Sequence, residues 1–274
     1  MKTKTKENKV LGSAYRIVMA MTLCLMLGCQ EATVSKETIE KGNRVVSVYT
    51  EKGNVLKEKQ YYLADKVTLN YKEIYREDGE VLHKKFIYHK NGEFKKIYFY
   101  MSDGESLDQD RSFREDGTIE KEIYYRADGK SIGTVKLYYE NGKTEKERRE
   151  YISEGKILTD VMFFRKNGTL EKAFAYHDDG KAIEQMSLFY NAKTPKYSET
   201  YYPDGKAIKV KLFHRKDGTP RLGESYRRDG KSLQTKVHYR KDGTQEIIKG
   251  YRKDGKTLTA KYYVSKSGVR SKMK

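Results

Sequence analysis

The stretch YRKDGTQEIIKGYRKDGKTL, Tyr239–Leu258, holds the pentapeptide YRKDG twice, at Tyr239 and at Tyr251. Asp-Gly between runs of aromatic and β-branched residues is a strong short hairpin signal, because Gly supplies the positive φ and Asp tolerates and bonds the turn backbone. Both copies therefore read as turns. They are not equivalent. Gly255 is followed three residues later by Leu258, whereas Gly243 is followed by the polar run Thr244, Gln245 and Glu246.

The same two turn kinds alternate through the chain, with neighbouring turns mostly 12 or 13 residues apart. Turns of the first kind carry Leu or Ile three residues after the glycine and Tyr four residues before it. That tyrosine column is Tyr49, Tyr75, Tyr100, Tyr125, Tyr151, Tyr176, Tyr201, Tyr226 and Tyr251. Turns of the second kind have a looser column before them: Tyr62, Tyr88, Phe113, Tyr138, Phe164, Tyr190, His214, Tyr239 and Val264. Two turns without glycine keep the spacing, at Lys66 and Thr194. The period is thus about 25 residues, repeated nine times, with two strands and two turns in each repeat.

Consecutive strands joined by tight turns are antiparallel neighbours. The expected fold is all-β: an elongated single-layer antiparallel β-meander of about nine 25-residue two-stranded repeats, ~18 strands, extending roughly 85 Å at ~4.8 Å per strand. Side-chain parity places the tyrosine column, the Leu/Ile positions and the second aromatic column on one face, with Lys and Glu opposite. This requires a two-residue loop at the first kind of turn and a three-residue, bulged loop at the second. The two YRKDG copies then lie on opposite edges.

Composition agrees with a thin sheet. Hydrophobic residues are 36% of the 274 and charged residues 35%, too few apolar groups for a thick core, yet 24 Tyr argue against disorder. The net charge of +18 is uneven. Residues 29–204 are close to neutral, and residues 205–274 carry 21 Lys/Arg against 6 Asp/Glu.

The N-terminus has its own logic. Lys2, Lys4, Lys6, Lys9 and Arg16 precede an uncharged apolar run, Ile17–Gly28, too short to span a bilayer and suited to a signal segment. The run ends in MLGC, Met26–Cys29, which resembles the bacterial lipoprotein signal. The resemblance implies cleavage before Cys29 and lipidation of Cys29. The expected divisions are a signal peptide over 1–28, a polar tether over 29–43 and the repeat domain over 44–274, with a basic subregion at 205–274. Gln30 follows the cysteine, with no Asp there, which by analogy favours the outer membrane of a diderm cell envelope. Cys24 would leave with the signal, so no intrachain disulfide is expected.

The units YYRADGKSIGTVKLYYENGK, Tyr124–Lys143, and YHDDGKAIEQMSLFYNAK, Tyr176–Lys193, resemble bacterial MORN-variant repeats, including those of the YwqK-type antitoxin family. The resemblance covers about residues 44–268 and implies two-stranded units stacked into a single-layer sheet. It also implies a second functional class, an antitoxin or immunity protein that binds one partner protein.

Chemistry-bearing patterns are sparse. The histidines His83, His89, His177, His214 and His238 make no zinc spacing, and Asp108–Asp110 lacks the rest of a calcium loop and reads as a solvated edge. His214 reads as a structural replacement for an aromatic. No G-x-S-x-G, phosphate loop or dinucleotide glycine pattern occurs. The expectation is a non-enzymatic protein with no cofactor and no metal. Tyr75, Tyr100, Tyr125, Tyr151, Tyr176, Tyr201, Tyr226 and Tyr251 form a structural aromatic column. Arg215, Lys216, Arg227, Arg228, Arg240, Lys241, Arg252 and Lys253 are the candidate contacts for an anionic partner. The expected function is a lipid-anchored envelope scaffold that binds a protein or an anionic envelope polymer, with no nucleic acid after export. A glycan-binding adhesin is a further alternative, and its binding would survive salt.

Overall fold

The computed structural model describes residues 33–40 and 43–273. The expected signal segment and Cys29 lie outside the described residues. All regular structure among the described residues is β, and they fall into two compact units, one ending at Gly104 and one beginning at Glu105. The first unit holds β1 (Thr33–Glu40), β2 (Asn43–Thr50), β3 (Leu56–Tyr62), β4 (Leu69–Tyr75), β5 (Leu82–Tyr88) and β6 (Phe94–Tyr100). The second begins with β7 (Leu107–Phe113), β8 (Ile119–Tyr125), β9 (Ile132–Tyr138), β10 (Glu145–Ile152), β11 (Ile157–Phe164), β12 (Leu170–Tyr176) and β13 (Ile183–Phe189). It continues with β14 (Pro195–Tyr201), β15 (Ile208–His214), β16 (Pro220–Tyr226), β17 (Leu233–Tyr239), β18 (Gln245–Tyr251), β19 (Leu258–Val264) and β20 (Arg270–Lys272).

Within each unit every strand pairs antiparallel with the next in the chain, so each unit is a single-layer meander of the expected class. Part of the expected polar tether is sheet. Thr33–Glu40 pairs with β2, because its Thr, Val and Ile residues can extend a backbone ladder even with nearly all side chains exposed. Buried aliphatic side chains are sparse: Val45, Ile97, Ile123, Val135, Val161 and Val264 among the described residues. Cohesion therefore rests on main-chain pairing and on contacts between adjacent repeats.

The two turn kinds differ by one residue, but in the opposite sense to the expectation: the first kind has a four-residue loop where two were expected, and the second keeps its expected three. At a first-kind turn, Arg126 N–H donates to Ser131 C=O at 2.8 Å, enclosing four residues. At a second-kind turn, Arg114 N–H donates to Thr118 C=O at 2.9 Å, enclosing three. The Asp carboxylates accept backbone N–H groups inside these turns, as Asp128 does from Lys130 and Ser131 at 2.9 and 2.8 Å. Tyr190 belongs to its turn and Phe189 ends the strand, so Phe189 replaces Tyr190 in the second column. Asn191–Lys193 then form a three-residue loop without glycine.

A bulge accompanies each turn from β2 to β6 and from β7 to β19, and it overturns the single-stripe expectation. Tyr125 lies opposite Ile132 and Tyr124 opposite Thr134, which leaves Gly133 over. Phe113 lies opposite Ile119 and Ser112 opposite Lys121, which leaves Glu120 over. Directly opposed residues share a face and successive residues alternate. Tyr138, an even step from Thr134, therefore shares a face with Tyr124 and not with Tyr125. The two aromatic columns lie on opposite faces. Side-chain bonds agree: Tyr125 donates to Asp110 at 2.9 Å on the first, or tyrosine, face, and Tyr138 donates to Glu122 at 2.5 Å on the reverse face.

The two edges also pack differently. A methyl group at Gly205, a first-kind turn with φ 66°, would fall 2.7 Å from the Ile183 nitrogen of the preceding first-kind turn. At Gly218, a second-kind turn with φ 89°, its nearest neighbour would be Thr194 Cγ2 at 3.7 Å. Gly218→Ala is expected to cost about 1–2 kcal/mol for the left-handed backbone alone. Gly205→Ala is expected to cost a further ~1–3 kcal/mol, because the neighbouring backbone must shift. Urea unfolding midpoints of the two variants check this; equal losses would refute the nesting of the first edge.

Candidate functional site

Where Arg or Tyr stands three residues before a turn glycine, it is in most repeats a structural clamp. Arg76 Nη2 donates to the Tyr100 and Met101 carbonyls at 3.0 and 2.9 Å. Arg165 Nη2 reaches the Phe189 carbonyl at 2.7 Å, Arg215 Nη2 the Tyr239 carbonyl at 2.7 Å, and Arg227 Nη2 the Tyr251 carbonyl at 3.0 Å. Arg126 and Arg240 do the same to Tyr151 and Val264. Where Tyr stands at this position its hydroxyl donates instead, from Tyr139 to the Phe164 carbonyl at 2.6 Å and from Tyr202 to the Tyr226 carbonyl at 2.8 Å. Each clamp spans 24 or 25 residues and joins one turn to the next turn on the same edge.

This divides the basic candidates by role. Arg215, Arg227 and Arg240 are half-buried and spend guanidinium donors on carbonyls. Lys216, Arg228, Lys241, Arg252 and Lys253 are exposed at turn tips. None of these five makes an ion pair with a described carboxylate. Successive turns on one edge are two strands apart, roughly 10 Å, so the exposed cations form a spaced row along each edge.

The tyrosine column holds the sheet through carboxylates on its own face. Tyr201 donates to Glu199 at 2.5 Å, Tyr197 donates to the same carboxylate, and Lys211 Nζ lies 3.6 Å from it. Tyr226 and Lys236 meet at Glu224, at 2.8 and 2.7 Å, and Tyr75 and Lys85 meet at Glu73, at 3.1 and 3.2 Å. Burial pushes the Glu199 carboxyl up, but the two tyrosine hydroxyls and the Lys211 charge outweigh it and hold it below the ordinary carboxylate value. Tyr226 is pushed up to about 12, by burial and by its bond to Glu224. Tyr100, Tyr151 and Tyr251 also offer their carbonyls to the clamps, and Tyr176 occupies the same strand-end position. Asp110, expected to be a solvated edge, is 2% exposed and accepts the Tyr125 hydroxyl, because the bulged register turns it under that ring.

Two concavities meet at His214. On the reverse face, one of about 470 Å³ is lined by Gln185, Ser187, Phe189, Ser198, Thr200 and Leu212, among others. Ser187 lies opposite Ser198, so two small side chains side by side leave a trench that their neighbours do not fill. From Ala173 to Val264 this face has no Asp, Glu, Lys or Arg at a paired position. β7–β11 place Arg111, Glu122, Lys136, Arg148, Glu150 and Asp160 there. On the tyrosine face, a concavity of about 280 Å³ is lined by Leu188, Tyr190, Lys196, Tyr197, Phe213, His214 and Arg221. His214 Nδ1 is buried without a hydrogen-bond partner, and burial lowers the imidazole's pKa, so at neutral pH it adds no charge. Sequence reading missed both concavities, because the bulge that sorts residues between the faces leaves no mark on the hydrophobic pattern. The opposed serines of a bulge-corrected register are the signal that could have revealed the trench.

No group of three His, Cys, Asp or Glu suited to a metal occurs among the described residues, and no described helix is long and apolar enough to cross a membrane. No protein-family model and no curated protein matches the chain. Among solved structures, the chain is similar to the crystal structure of TcdB2-TccC3, at 12% identity and a TM-score of 0.25 over 84% of this chain, but it spans only 14% of that one. It is also similar to a porin-like protein from Bacteroides uniformis ATCC 8492, at 9% identity and a TM-score of 0.16, over 87% of this chain and 91% of that one. At these scores neither likeness bears on function.

Two substitutions test the division of the basic residues. Arg227→Gln is expected to lower stability by about 1.5–3 kcal/mol, the range for a hydrogen bond to a charged group. Arg228→Gln is expected to change it by less than ~0.5 kcal/mol. Equal effects in denaturant melts would remove the clamp. The carboxylate networks give a pH test. Glu199 has a folded pKa below its unfolded value. Its contribution is complete above the unfolded pKa and is lost as pH falls through the folded one. The native chain should therefore weaken on acidification below about pH 5. Glu199→Gln should be less stable at pH 7 and lose less on acidification; parallel pH profiles would contradict the network.

Proposed function

We propose that this chain is a lipid-anchored, non-enzymatic binding scaffold of the bacterial cell envelope whose C-terminal repeats hold an anionic partner. The anchor rests on the MLGC sequence at Met26–Cys29 and its resemblance to the lipoprotein signal. One observation carries the binding role. In the basic quarter the turns at Asp217, Asp229 and Asp242 each place a clamp residue, Arg215, Arg227 or Arg240, inward and a second cation, Lys216, Arg228 or Lys241, outward without an acidic partner, and at Asp254 both Arg252 and Lys253 stand outward. Cations that served only solubility would be free to pair with the acidic turn residues beside them. Here those Asp carboxylates are occupied by the turn backbone, as Asp217 is by Thr219 and Asp229 by Lys231 and Ser232. The positive rows therefore keep their field for an external anion.

The test is the salt dependence of binding to poly-L-glutamate by the purified full-length chain in detergent. Affinity should fall at least tenfold between about 50 and 500 mM salt. The combined variant Lys216→Glu, Arg228→Glu, Lys241→Glu and Lys253→Glu should lose binding with an unchanged unfolding midpoint. Salt-insensitive binding, or binding that survives the charge reversal, would overturn the reading.

A further inference from the structure

We propose that the tyrosine-face concavity of β13–β16 is a subsite for an acidic polysaccharide, in which a sugar ring packs on Tyr197 and Phe213 and its acid group meets Lys196 and Arg221. The inference rests on the anionic-partner reading above and gives that partner a chemical class.

The floor is a row of directly opposed residues across four strands. Leu188 lies opposite Tyr197, Tyr197 opposite Phe213, and Phe213 opposite Leu222. The Tyr197 and Phe213 rings are 4.8 Å apart between centroids and tilted by 48°, so together they form a shallow apolar cup. In β7–β12 the same row is broken by charge, with Lys121 opposite Leu137 and Lys172 opposite Phe163.

The rim cations come from the bulges. Pro195 pairs with Phe189 and Tyr197 with Leu188, so Lys196 is the residue left over. Pro220 pairs with His214 and Leu222 with Phe213, so Arg221 is left over in the same way. Both are exposed, and neither pairs with a described carboxylate. At the other second-kind turns of the second unit the skipped residue is Glu120, Lys146, Glu171 or Glu246, so no two neighbouring ones are both cations. In the first unit the corresponding positions are Asn70 and Lys95, so no two cations flank one apolar row there. An apolar row and two free cations thus coincide at β13–β16.

The volume, about 280 Å³, suits one or two rings and not a protein side-chain cluster or a helix. The apolar cup gives a purely ionic polymer such as polyphosphate nothing to contact. The cations would be idle against a neutral glycan. Lys196 and Arg221 stand two strands apart, roughly 10 Å, and so address acid groups on separate rings of one chain. The tilt of the two aromatic rings denies a flat platform to stacked bases. The Tyr190 hydroxyl, 3.4 Å from the His214 carbonyl, sits at the rim as a further polar contact.

The experiment compares four probes on the purified full-length chain in detergent, by titration calorimetry at equal concentration of repeat units. They are polygalacturonate, its neutral methyl ester, poly-L-glutamate and oligothymidylate. Polygalacturonate is expected to bind at least tenfold more tightly than each of the others. Lys196→Gln with Arg221→Gln should abolish that preference and leave poly-L-glutamate binding unchanged. The variant Lys216→Glu, Arg228→Glu, Lys241→Glu and Lys253→Glu should do the reverse, losing poly-L-glutamate while retaining a preference for the sugar acid. Equal affinity for polygalacturonate and poly-L-glutamate would overturn the subsite and leave the anionic scaffold standing. Equal affinity for the methyl ester, or tighter binding of oligothymidylate, would also overturn it. Failure to bind either polyanion would overturn both readings.

Discussion

A side-chain donor placed just before about half of the turns and aimed at the carbonyl that ends a strand one repeat later is the interaction on which this architecture leans. A single-layer sheet has no second layer to bury its faces, and only a few aliphatic side chains here are buried. Pairing between strands is supplied by the backbone. What fixes one hairpin relative to the next but one is the clamp: Arg76, Arg126, Arg165, Arg215, Arg227 and Arg240, or Tyr139 and Tyr202 in the same place. Arg and Tyr interchange because both reach far and carry a donor. Their chemistry as cation or phenol matters less than their length. This is why a column that reads as charge in the sequence is, in large part, cement.

The bulges set the second constraint. Each strand is seven or eight residues long over most of the chain, and one residue near its start is left out of register. That omission sends the two aromatic columns to opposite faces. It allows a Tyr–Glu–Lys lattice on one side and, over β12–β19, an uncharged surface on the other. It also projects the skipped residues, Lys196 and Arg221 among them, away from the ladder. The same local irregularity thereby serves fold and surface chemistry together.

Much of the fold was legible in the sequence. The Asp-Gly and Asn-Gly pairs mark turns whatever the tertiary context, so strand positions, antiparallel order and the 25-residue period follow from local chemistry. The faces were not legible. Lys stems and Tyr rings cover both sides of a thin sheet, so a parity shift produces no buried charge to betray it. Tyr190 was misplaced because Phe189 beside it is equally aromatic. The clamp role of Arg215, Arg227 and Arg240 was invisible because their acceptors are backbone carbonyls, which have no sequence signature. Lys216, Arg228, Lys241, Arg252 and Lys253 stand exposed, because each lies just before a turn Asp at the edge of the sheet.

The clamps also give the second unit a mechanical grain. A pull applied across its first and last strands would load the backbone ladders in peeling mode, where bonds break one after another. Each clamp, however, bridges from one turn to the next on its own edge and so straddles a whole hairpin. A strand cannot leave until the latch reaching over it has opened. Rupture must then advance by hairpins, alternating between a latch on one edge and a latch on the other, and the sheet behaves under tension as a ratcheted tape.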